Sequence, residues 1–243
     1  MVKASFGVAL AGLIMVTGSA FADEFHFSSP GGTIWNGVYV SPYLARDNTQ
    51  NRDLTIYCDD WNTDFSGNPT WSANVYQLTP ANSDQFKYSN ATEIYNVTLL
   101  GGQLTPVLDT TSTQFQRYLE VAYLDEKLEQ ELKSNDTAKQ IELAAAQWTL
   151  FVDTAHVNPL IDAINNSGYG TAVFDELTEA HAAVANGSFN GADWRVMVPQ
   201  GQNSNSQQMQ EFLYDTPEPS AVILLGTVAG LLGLSKLRRK RQV

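Results

Sequence analysis

The chain is poor in the residues that most chemistry needs. Its 243 residues hold one cysteine, Cys58, and three histidines, His26, His156 and His181. One cysteine excludes an internal disulfide, and leaves an intermolecular bridge, a reactive thiol or a small buried hydrophobe. The histidines are dispersed, with no H-E-x-x-H, G-x-S-x-G or phosphate-binding glycine loop around them. Each reads as a surface or capping residue, and no spacing of carboxylates singles out an acid/base pair. Basic residues are scarce in the body: between residues 23 and 220, all 26 acidic residues face eight Lys and Arg, a net charge of −18. Such a surface repels phosphate backbones, which argues against nucleic-acid binding, and favours cations and neutral or cationic partners. Internal repeats are absent.

Long apolar runs are confined to the two ends. At the start, Lys3 precedes an apolar run over residues 6–16, and small residues then lead to Ala20-Phe21-Ala22. This is the layout of a secretory signal peptide with an A-x-A cleavage site, so residues 1–22 are expected to be removed by signal peptidase after passage through the secretion translocon. At the other end, residues 221–237 are almost wholly apolar and run into the cluster Lys236, Arg238, Arg239, Lys240 and Arg241. About 17 residues make roughly 25 Å of helix, a short transmembrane span with its cationic cluster on the cytoplasmic side.

The tripeptide Pro217-Glu218-Pro219, then this helix, then the basic cluster, resembles the PEP-CTERM sorting signal of exported Gram-negative proteins. The resemblance covers residues 217–241. It implies transient anchoring in the inner membrane, cleavage near Pro217–Pro219 by an exosortase, and delivery to the cell surface or an exopolysaccharide matrix.

Between the ends the expected fold class is α+β, a single domain over residues 23–200. Tyr, Trp, Thr and Val dominate residues 25–105, which read as short antiparallel strands at 34–40, 54–58 and 73–78. Turns fall at Pro30-Gly31-Gly32, Gly67-Asn68-Pro69 and Gly101-Gly102. A helical hairpin follows. Thr113-x-x-Gln116 forms a capping box ahead of the stripe Phe115, Tyr118, Leu119, Ala122, Leu124, Leu128 and Leu132. A second helix runs from Thr137 to about Val152, and a third from Ala172 to Ala185. Trp194 to Val198 reads as a strand stopped by Pro199. Residues 201–216 read as a polar loop between strands or a linker or, from Glu211 to Tyr214, as a last strand.

Three local patterns carry candidate chemistry. Asp60, Asn62 and Asp64 alternate like the first ligands of a calcium loop. Phe65 and Trp71, however, occupy the positions of its glycine and its bidentate glutamate. The pattern is expected to be a turn, with surface calcium binding the alternative and no other cofactor indicated. Trp35, Trp61, Trp71, Tyr39 and Tyr43 are aromatics that could stack on sugar rings, although strand aromatics commonly form cores. Finally, Tyr57-Cys58-Asp59 and the helix ending Ala144-Ala145-Ala146-Gln147-Trp148 resemble the two halves of the thioester domains of bacterial surface adhesins. There a Cys and a Gln side chain condense to an internal electrophile. The family pattern T-Q-x-A-apolar-Trp has Ala144 at its glutamine position here. The nearest amides are Gln140, one helical period earlier, and Gln147, about 100° around the helix from Trp148. Cys58 is accordingly expected to be a buried thiol and Trp148 a core residue.

Three functions follow, in order of expectation. The first is a non-enzymatic exported protein acting in exopolysaccharide, biofilm or floc. The second is an adhesin with a Cys58 thioester, and the third a secreted polysaccharide hydrolase.

Overall fold

A computed structural model describes residues 22–30, 33–40, 42–59, 61, 66–89, 95–109 and 112–216. The strands are β1 (Asp23–Pro30), β2 (Ile34–Trp35), β3 (Val38–Tyr39), β4 (Tyr43–Asp47), β5 (Arg52–Cys58), β6 (Thr70–Gln77), β7 (Tyr95–Leu100), β8 (Gln103–Leu108), β9 (Trp194–Pro199) and β10 (Phe212–Asp215). The helices are α1 (Gln114–Ser134), α2 (Thr137–Phe151), α3 (Val157–Asn166) and α4 (Gly170–Ala185), with a short 3-10 helix at Pro80–Gln85. The α+β expectation holds, and the β part has a definite architecture. Six strands close into an antiparallel barrel in the order β1-β4-β5-β10-β9-β6, and β6 returns to β1.

The barrel closes because each strand offers one face to its interior. Phe25 and Phe27 of β1, Tyr43 and Ala45 of β4, Ile56 and Cys58 of β5, and Phe212 and Tyr214 of β10 form one buried cluster with Trp71 and Met197. Intervening residues point to a second core: Tyr57, Leu213, Val196 and Trp194 pack with the helices. This is the period-2 alternation of a strand, and six strands leave an interior that side chains fill completely. One end is closed by polar contacts, with Arg52 donating to Asp47 (3.2 Å) and to the Tyr214 hydroxyl (3.3 Å).

The helical hairpin forms as its signals predict. The Thr113 hydroxyl accepts from the Gln116 N–H while the Gln116 side chain accepts from the Thr113 N–H. Asn135 takes a left-handed conformation at the C-cap of α1, and Asp136 caps α2. The sequence reading missed α3. Its Pro159 stands in the first helical turn, where a missing N–H costs nothing. In the 34–40 stretch, Asn36 and Gly37 both have positive φ, so the chain folds back into the tight hairpin β2–β3. Gly101-Gly102 turns the hairpin β7–β8.

Residues 200–211 are an ordered loop pinned to the barrel rim rather than a linker. Ser204 N–H donates to the Thr70 carbonyl (2.8 Å), and the Asn203 side chain accepts from the N–H groups of Asn205 and Gln207. The loop feeds β10 into the barrel between β5 and β9. The barrel therefore extends to Asp215, past the expected domain limit at residue 200.

Gly191 packs against the helix-side core. Its φ is +64°, and a Cβ there would stand 2.7 Å from Leu119 Cδ2 and 2.9 Å from Leu78 Cδ2. Gly191→Ala is expected to destabilise by about 2 kcal/mol, from left-handed strain and overpacking together. The denaturant midpoint measures this, and an unchanged midpoint would contradict the packing described.

Candidate functional site

At the end opposite the Arg52–Asp47 closure, the barrel opens into a cavity of about 500 Å³. Its floor is made by Phe27, Tyr43 and Cys58 from barrel strands, and Gln210 enters from the loop before β10. The β2–β3 hairpin contributes Val38 and Tyr39, α2 contributes Trp148, and Trp61 and the Ser66–Asn68 turn complete the rim. The rim is braced. Asn205 Nδ2 donates to the Ser66 carbonyl (3.1 Å), Gln207 Nε2 to Ser66 Oγ (3.1 Å), and the Tyr43 hydroxyl to the Tyr39 carbonyl (2.7 Å).

Cys58 and Gln210 share this cavity for a topological reason. In the antiparallel pair β5–β10, Phe212 stands opposite Cys58 and Leu213 opposite Tyr57. Gln210 stands two residues before β10, in the loop that feeds the strand, and lines the same cavity as Cys58. Glu211, on the opposite face, accepts from the Tyr118 hydroxyl of α1 and from Lys87 N–H (2.8 Å). Cys58 is 1% exposed and Gln210 9%.

The amides singled out by the family pattern are committed elsewhere. Gln147 donates to the Asp125 carboxyl inside the α1–α2 seam. Gln140 accepts from Thr33 Oγ1 (2.8 Å) and donates to the Glu131 carbonyl (3.2 Å). Both amides belong to the helix pair, whereas Cys58 belongs to the barrel interior. The sequence reading missed Gln210, which lies in the loop before β10 where no strand periodicity marks it.

The aromatic candidates divide. Tyr39, Tyr43 and Trp61 line the cavity, and Trp61 packs on Trp148 with ring centres 4.8 Å apart. Trp35 lies behind Trp148 at 6.2 Å and donates to Ser167, and Trp71 is buried in the barrel. Asp60, Asn62 and Asp64 lie outside the described residues, as do Ala20, Pro217, Glu218, Pro219 and the basic cluster Lys236, Arg238, Arg239, Lys240 and Arg241. Ala22 is exposed just before β1. Among the described residues no group of three His, Cys, Asp or Glu could hold a metal ion, and no helix is long and apolar enough to cross a membrane. The expected span at 221–237 is outside that set. His26 contacts Thr70 (3.3 Å), His156 contacts Asp153 (2.7 Å) and His181 contacts Glu120 (2.9 Å), all away from the cavity.

Asp125 gives the helix seam a pH signature. Burial holds its carboxyl well above the ordinary carboxylate range, against the lowering effect of the Gln147 hydrogen bond. In the unfolded chain it ionises at its ordinary value, so its contribution to stability is full below that pH. The contribution is lost as pH rises toward the raised folded value. Asp125→Asn is expected to be more stable than the parent by upwards of about 1 kcal/mol at pH 8. The gap should close toward pH 4 in denaturant titrations, and a gap independent of pH would contradict the assignment.

No protein-family model matches this chain, and neither does any curated protein or any solved structure.

Proposed function

We propose that this chain is an exported surface protein whose barrel mouth carries an internal thioester between Cys58 and Gln210, used to attach it covalently to amines outside the cell. The single observation that carries the reading is the presence of that thiol and that carboxamide in the lining of one cavity. In the bond-forming step, Cys58 Sγ adds to the Gln210 side-chain carbonyl carbon. The C–N bond breaks, and the amide nitrogen leaves as ammonia with the thiol proton. Later a primary amine attacks the same carbon. The C–S bond breaks, an amide joins Gln210 to the acceptor, and the Cys58 thiol returns. Each chain reacts once, so this is attachment rather than turnover. Burial of both partners keeps water from the acyl group.

The sorting signal at Pro217-Glu218-Pro219 and the leader ending at Ala22 supply the route: translocon, signal peptidase, brief residence in the inner membrane, and exosortase cleavage. The acidic body suits a cation-rich or neutral matrix. Methylamine is the direct probe. It is expected to label the side chain of Gln210 alone, as located by peptide mass. Labelling at Gln140 or Gln147, or at no residue, would refute the pairing.

A further inference from the structure

Resting on that acyl-donor reading, we propose that the captured amine is carried by an amino-sugar polymer, one sugar unit of which is held in the aromatic cavity at the barrel mouth. Three observations point to this ligand rather than to a lysine side chain. First, the cavity presents aromatic faces at its rim: Tyr39 is 45% exposed, and Trp61 leans on Trp148. The C–H face of a pyranose packs on such rings. Second, Trp148 is only 2% exposed, yet its indole Nε1–H has no acceptor among the described residues. A buried N–H of this kind calls for an oxygen. Sugar hydroxyls supply several such oxygens on the unit itself, whereas a lysine side chain carries none and leaves only its peptide carbonyls. Third, about 500 Å³ is within the ordinary range for a small-molecule site and far more than a single methylene chain fills.

Charge acts in the same direction. The body carries −18, so a polymer bearing free amines is concentrated at its surface before any bond forms. Stacking and the Trp148 hydrogen bond would then hold one unit while its amine, or that of the next unit, reaches the acyl carbon of Gln210. That carbon accepts the nitrogen, Cys58 leaves as the thiol, and the sugar becomes amide-linked.

The test uses the mature exported protein with four probes: glucosamine oligosaccharides, their fully N-acetylated counterparts, a lysine-containing peptide and methylamine. Adducts are followed by intact mass. At equal amine concentration, the glucosamine oligosaccharides are expected to add at least about tenfold faster than the lysine peptide, the worth of one well-placed hydrogen bond. The N-acetylated oligosaccharides should compete without forming adducts. Trp148→Phe, and separately the surface variant Tyr39→Ala, should each lower the ratio of sugar to methylamine capture roughly tenfold. Cys58→Ala, which can form no acyl bond, should still bind the oligosaccharides, as read by tryptophan fluorescence. Equal or faster capture of the lysine peptide would overturn the assignment, as would methylamine capture without any oligosaccharide binding. Oligosaccharide binding by Cys58→Ala with no adduct from any amine would support the sugar site and sink the thioester beneath it.

Discussion

Cys58→Ala and Gln210→Ala are each expected to show the full mass of their sequence and to lose capture of methylamine, either alone as completely as both together. The effect is all-or-none because the acyl bond needs both atoms: without the thiol there is no nucleophile, and without the carboxamide no carbon to receive it. Gln210→Glu is the sharper variant. It keeps shape and reach, but a carboxylate has no ammonia to lose and is a poor acceptor for a thiol. Neither alanine variant is expected to unfold the barrel. Cys58 contributes a small side chain to an interior otherwise built from Phe25, Phe27, Tyr43, Trp71 and Phe212. Its removal should cost on the order of 1 kcal/mol. Circular dichroism at matched temperature separates loss of chemistry from loss of fold. Single variants that retain capture would disprove the pairing.

The largest stability effect is expected at Arg117. Its guanidinium is 1% exposed, pairs with Asp109 at 2.6 Å, and donates to the carbonyls of Tyr95 (2.9 Å) and Leu150 (3.0 Å). One side chain on α1 thereby ties the β7–β8 hairpin to the end of α2. Burial lowers the affinity of the guanidinium for its proton, and Asp109 opposes that shift. Removing the cation leaves the Asp109 carboxylate buried without its charge partner. Arg117→Met should therefore cost about 3–5 kcal/mol, or roughly 10 °C in Tm for a chain of this size. The double variant Arg117→Met, Asp109→Leu should recover a large part of the loss, because the unmatched charge is gone. A loss below about 1 kcal/mol for the single variant would mean that solvent, rather than Asp109, balances the charge.

Local signals were legible wherever one residue dictates its own geometry. The Thr113–Gln116 capping box, the Asn135-Asp136 break and the Gly101-Gly102 turn appear at the residues that encode them. Closure of the barrel was not legible, because it depends on β10 pairing with β5 across some 150 residues, and a four-residue strand carries little signal of its own. For a related reason the polar run from Gln200 to Gln207 left a loop between strands and a linker both open. Its side chains are spent on internal hydrogen bonds and on the Ser66 turn, which composition alone does not reveal. Cys58 was legible as a buried thiol. Gln210 was not, because it lies in a loop without a strand pattern, while the resemblance points to α2, where Gln147 binds Asp125. Trp148 was expected to be a core residue, and it is one, but it also walls the cavity.

The most direct measurement is the intact mass and peptide map of the mature protein exported into amine-free medium and collected before it meets any acceptor. The account predicts a mass one ammonia short of the sequence, the peptides holding Cys58 and Gln210 joined to each other, and both released by hydroxylamine. A full-sequence mass, with Cys58 taking up a thiol reagent once the protein is denatured, would contradict it.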